Sequence, residues 1–133
     1  MLKDWTPNLP ATENQIEELV KSVNIELPIE YLDILRKFNG GEGDLALPPM
    51  WLQLWSIDEV IENYESEFYK NEFPGYFFFA SNGGMESIAM RTINQTEIDI
   101  VMVDPIAGIE SAESITQDFQ KLESAIGLPF SDE

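Results

Sequence analysis

Cysteine and histidine are both absent from the 133 residues. Without cysteine there is no disulfide framework, the mark of many small secreted domains. Without histidine there are no Ser-His or Cys-His nucleophile pairs, few zinc sites, and no use of the commonest general base. Any catalysis would have to run on carboxylates, Lys, Tyr, Ser or Thr. Basic residues are scarce too: 7 Lys and Arg against 25 Asp and Glu give a net charge of −18 and a pI near 4.1. Such a surface repels nucleic-acid phosphates and anionic membranes and attracts cationic partners. Solubility alone is the plainer account of the same charge. No apolar run approaches the length that spans a bilayer, and Met1-Leu2-Lys3-Asp4-Trp5-Thr6-Pro7 lacks the apolar core of a signal peptide. The expectation is a cytoplasmic protein with neither a nucleic-acid nor a membrane partner.

What is present is a core. Apolar residues make up 44% of the chain and aromatics 11%, and the length suits a single domain over 1–133. The run Tyr76-Phe77-Phe78-Phe79 reads as a strand buried on both faces, because a half-exposed strand would alternate with polar residues. Asn82-Gly83 follows as a hairpin turn, and Met85 to Met90 begins the return strand.

Along the chain, residues 1–11 read as an irregular arm with Trp5 tucked onto the body. Thr12 and Gln15 form a capping box ahead of a helix whose stripe is Ile16, Leu19, Val20 and Val23. Pro28 suits the first turn of a second helix, with Tyr31, Ile34, Leu35 and Phe38 inward and Gly40 closing it in a left-handed cap. Asn39 to Asp44 reads as a glycine-rich connector. A phosphate loop is excluded there, since Asp44 and Leu45 stand where Lys and Ser/Thr are needed, and calcium-loop spacing is missing.

Leu45 to Met50, with Pro48-Pro49, reads as extended and Trp51 to Trp55 as a short strand. Ser56 and Glu59 form a second capping box, with Trp55 and Val60 as a hydrophobic staple and a helix to about Glu67 carrying Ile57, Val60, Ile61, Tyr64 and Phe68. The strand after Met85 runs to Thr92 or Ile93, turns at Asn94-Gln95-Thr96 and returns over Ile98–Val103. A last helix starts between Ser114 and Asp118, stops at Gly127 and leaves a frayed tail from Leu128 to Glu133. The class is α+β: one domain, a mostly antiparallel sheet flanked by two N-terminal helices, one helix after the first strand and one C-terminal helix.

This order of signals resembles the SUKH superfamily, the Smi/Knr-like proteins. The resemblance runs from about Ile16 to Ile126. Its pieces are Pro28 with Tyr31, then Asn39-Gly40-Gly41, Trp55 ahead of Ser56-Ile57-Asp58-Glu59-Val60, Asn82-Gly83-Gly84 with Glu86, and the Phe119/Leu122 helix. The chain departs from the pattern at Glu86, where members often carry Asp, and in the long Glu42–Met50 insertion. The resemblance implies no cofactor and no catalytic residues. It implies a protein-binding role: bacterial members are similar to immunity proteins that neutralise polymorphic toxins, many of them nucleases or deaminases, and fungal members act as regulatory interaction modules. This chain, without long extensions, resembles the bacterial form.

A nuclease handles a polyanion and so presents a basic surface, which a chain at −18 complements. Between Lys37 and Lys70 there are seven acids and no base. The candidate face is Asp58, Glu59, Glu62 and Glu65 on the third helix, with Glu42, Asp44 and Trp51 beside it; an ordinary solvated helix face is the competing account. An enzymatic alternative would place a metal between Glu86, Asp99 and Asp104, although turn-forming and surface roles explain those residues too.

Overall fold

The computed structural model describes residues 4–94 and 97–130, and all its strands join one antiparallel sheet in which order in space equals order in sequence. The arm read as irregular contributes the first edge strand, β1 (Trp5–Pro7), paired with β2 (Gly41–Asp44), the segment read as a glycine connector. Glycine and proline are poor strand formers, and long-range contact overrides that preference here. A Cβ on Gly43 would lie 2.1 Å from the Asp4 carbonyl oxygen, so only glycine lets the two backbones approach this closely. Trp5 is thereby laid against Phe38, with ring centres 5.3 Å apart.

Between these strands stand the two N-terminal helices, α1 (Glu13–Ser22) and α2 (Ile29–Lys37). The Thr12–Gln15 capping box forms in full. Ile16, Leu19 and Val23 are buried, but Val20 is 48% exposed and is no part of the stripe. Gly40 has φ +98°, yet it lies beyond an extended Phe38 and does not cap α2. Residues 45–50 are a hairpin loop instead of an extended run: the Met50 amide donates to the Leu47 carbonyl at 2.6 Å, and β3 (Trp51–Leu54) returns along β2.

The Ser56–Glu59 box starts α3 (Ile57–Glu65), which ends two residues early, at Glu65, with Ser66 as its C-cap. A separate helix, α4 (Glu67–Glu72), carries Phe68, which is half exposed instead of lining the stripe. The central hairpin is β4 (Tyr76–Ser81) and β5 (Ser87–Thr92), followed by β6 (Ile98–Val103). A 3₁₀ turn (Ile109–Ser111) leads to a further edge strand, β7 (Glu113–Thr116), where Ser114 sits in place of a helix start. Asp118 caps α5 (Phe119–Ala125), and Gly127 follows it at φ +80°. Of the turn expected at 94–96, Gln95 and Thr96 lie outside the described residues, as do Ser131–Glu133 of the tail.

The four aromatic residues of β4 explain the layering. Phe77 and Phe79 point into the main core under the helices, where Tyr31 meets Phe77, Phe79 and Phe119 edge-on at 5.5–5.9 Å. Each such pair adds about 0.5–1.5 kcal/mol beyond buried area. Phe78 points to the opposite face, where Phe73, Ala89, Val101 and Val103 form a smaller cluster covered by Tyr69 of α4.

Tyr31 is fully buried, and its hydroxyl has no hydrogen-bond partner among the described residues. Burial pushes its pKa above the ordinary value of 10.0. Losing an unsatisfied buried hydroxyl is favourable, so Tyr31→Phe is expected to raise the unfolding free energy by about 1 kcal/mol in a denaturant titration. The sign with pH follows. Above about pH 10 the unfolded phenol releases its proton and the folded one keeps it, so wild-type stability falls as pH rises through that range. The phenylalanine variant should lose that share of the alkaline slope; an unchanged slope would show that the folded phenol ionises as readily as the unfolded one.

Candidate partner-binding surface

Alternation in β3 sets the geometry. Leu52 and Leu54 are buried toward the helices, which turns Trp51 and Gln53 to the other face. Register carries that face outward: Glu42 pairs with Gln53 and Asp44 with Trp51. The outer face of β2 and β3 is therefore lined by two carboxylates, an amide and an indole, all at least partly exposed.

Trp51 is 39% exposed, and its ring lies against the 82–86 loop. A Cβ on Gly83 would sit 2.8 Å from Trp51 Cδ1, and Gly83 itself adopts φ +81°. The loop spans five residues, longer than a two-residue turn, and it is tied down from within. The Asn82 side-chain oxygen accepts from the amides of Gly84 at 2.9 Å and Glu86 at 3.3 Å, the pattern for which asparagine suits turns. Ser81 Oγ accepts from the Gly83 amide at 3.2 Å and bonds Gln53 Oε1 at 3.0 Å. Asn82 Nδ2 also reaches Glu86 Oε1 at 3.4 Å.

The helix acids occupy a different place. α3 packs on the opposite face of the sheet, with Val60 in the main core and Tyr64 6.1 Å from Phe77. Asp58, Glu59, Glu62 and Glu65 are exposed there. The sheet thus separates them from Glu42, Asp44 and Trp51, and the expected continuous patch is two surfaces. Glu59 is further committed to its capping box, its carboxylate accepting from the Ser56 amide and hydroxyl at 3.0 Å each.

The remaining motif residues build the frame. Asn39 Oδ1 accepts from the Ile57 amide at 2.8 Å, satisfying a helix-start donor of α3. The Asn39 amide donates to the Leu9 carbonyl at 2.7 Å, so one residue joins the arm, the end of α2 and the start of α3. Gly41 lies under the Trp5 indole: its Cβ would meet Nε1 at 3.0 Å. Pro28 stands at the N-cap of α2, its carbonyl accepting from Tyr31 at 3.1 Å, and Trp55 packs between the two apolar clusters.

The three carboxylates considered for a metal have separate tasks. Asp99 is buried, bound by Arg91 Nη2 at 2.6 Å and by the Ser114 hydroxyl at 2.5 Å. The phenol of Tyr76 accepts from Arg91 at 3.4 Å and, with Asp99, raises the guanidinium pKa further. Asp104 Oδ1 accepts from the Ile106 and Ala107 amides, closing a turn. In the ladder Ser87 pairs with Val103 but Arg91 with Asp99, which sets Asp99 four residues, roughly 13 Å, from the end where Glu86 and Asp104 lie. Among the described residues no three or more Asp or Glu side chains are grouped to hold a metal, and no helix is long and apolar enough to cross a membrane.

Sequence reasoning named Trp51 but missed its surroundings. Gln53, Met50 and Met85 join it at the surface, and the Trp-Leu-Gln-Leu alternation was the signal for an outer face on β3.

Fold and surface define an α+β domain with a helical layer on one sheet face and, on the other, at least partly exposed Glu42, Asp44, Trp51 and Gln53. The chain belongs to the SMI1 / KNR4 family (SUKH-1), whose sequence model matches residues 10–123. No curated protein matches it.

Proposed function

We propose that this protein is a non-enzymatic binding module of the immunity type, acting in the cytoplasm by occupying and neutralising a basic toxin domain of the nuclease or deaminase class. Membership of the family over residues 10–123 is the observation that carries this reading. The charge supports it. Among the described residues only Glu13, Asp33 and Asp99 are held in ion pairs, so Glu42 and Asp44 are free to meet a cationic surface, and Asp58, Glu62 and Glu65 add to the long-range field. Long-range attraction of this kind accelerates encounter by about 10 to 10³ and is screened beyond roughly 8 Å at physiological salt.

The test is binding to the product of the neighbouring gene, followed by rescue of cells that express it. The association rate is expected to drop at least about tenfold between low and 0.5 M salt. A salt-indifferent rate would count against the electrostatic part of the reading. The matched family description also favours a second reading, a regulatory scaffold resembling the fungal members. Absence of any toxin gene beside this one would favour the scaffold.

A further inference from the structure

We propose that the partner docks on the exposed part of the outer face of β2 and β3, with Trp51 at the centre and Glu42 and Asp44 as its charged flank, and that α3 is not the dock. The inference rests on the protein-binding reading above and names the surface that serves it.

Three exposed apolar residues are Trp51 itself and one in each of the two loops next to it. Trp51 is 39% exposed, its chain neighbour Met50 51%, and Met85, two residues from the Gly83 that supports the indole, 72%. Met50 also holds φ +74°, a backbone state that a non-glycine residue rarely adopts, at the point where the hairpin delivers Trp51 to the surface. Isolated exposed apolar residues need no account, but an exposed tryptophan beside carboxylates, with an exposed methionine in each of the two loops next to it, has the make-up of an interface centre. The indole is already braced by the loop, so little side-chain freedom is lost on binding. On α3 the exposed positions Asp58, Glu59, Glu62 and Glu65 are all acidic, without such an anchor.

The occupant follows from charge. Glu42 and Asp44 flank the indole on the same face, and no Lys or Arg occurs between Lys37 and Lys70. A second copy of the chain would bring these carboxylates against their own kind at −18 per chain. The matching surface is a basic protein face in which an apolar side chain is ringed by Arg or Lys.

The experiment measures binding of the toxin domain encoded beside the gene. Trp51→Ala should weaken Kd about 30-fold or more, mainly through a faster off-rate. Met85→Lys, at a position too exposed to threaten folding, should weaken it about tenfold. The double variant Glu62→Lys/Glu65→Lys should stay within about threefold. The reverse ranking, or a chain that dimerises through this face, overturns the proposal.

A second arm needs no toxin. An amphipathic peptide of alternating Arg and Leu is titrated into the isotope-labelled chain. Amide shifts confined to residues 42–53 and 82–86 uphold the surface even if the neighbouring product fails to bind, in which case the functional reading alone falls. Shifts on α3, or spread evenly, overturn the surface.

Discussion

Arg91→Ala is expected to lower the unfolding free energy by about 3 kcal/mol, near the lower end of the cost of stripping a buried charge of its partner. Asp99 has a side chain only 5% exposed, so its carboxylate cannot be rehydrated in place when the guanidinium is removed. The Ser114 hydroxyl remains bound to it but carries no charge. Arg91 itself is 37% exposed, and water entering from that side offsets part of the loss, hence a figure no higher. In a chain of this size the change corresponds to roughly 10 °C in Tm. The double variant Arg91→Met/Asp99→Leu should recover most of it, because two apolar groups replace the pair without leaving a charge behind. A single variant within about 1 kcal/mol of wild type would mean that this network does not pin β5 to β6 and β7.

Gly43→Val should cost about 2–3 kcal/mol by a different route, overpacking. The new Cβ would stand 2.1 Å from the Asp4 carbonyl oxygen, the same atom that accepts from the Asp44 amide at 3.0 Å. Backbone has to move, and the strand that moves is the three-residue edge β1, which carries Trp5 off Phe38. Hydrogen exchange should then speed up in β1 and β2 while β4 to β6 keep their protection. Gly84→Ala is the control: its Cβ meets only Asn82 Oδ1, at 3.4 Å, and should cost well under 1 kcal/mol. Equal losses in the two variants would remove the steric explanation.

How much of this was legible depends on the range of the interaction. Capping boxes at Thr12 and Ser56 involve residues three apart, and both stand as read. The Tyr76–Phe79 run declared burial on two faces because no polar residue interrupts it, and the structure divides those rings between two clusters. Gly41–Asp44 was read as a connector because its local preference is against a strand; it is held between β3 and Trp5 to Pro7, and the latter lie more than thirty residues away. The break at Ser66 was hidden because Phe68 continues the helical spacing numerically while belonging to another helix.

For the surface, acidic composition was visible, but its division into two faces was not. That division depends on the β2–β3 register, which pairs Asp44 with Trp51, and on α3 crossing beneath the sheet. Neither is encoded in any short window.

The strict agreement between strand order and chain order has a consequence for synthesis. No strand must be inserted between two others already joined, so each hairpin can complete its ladder as it clears the ribosome. Of the rings around Tyr31, Phe119 arrives last, so a chain of which only the first 118 residues have cleared the ribosome can hold every strand with its aromatic centre still open to chaperones.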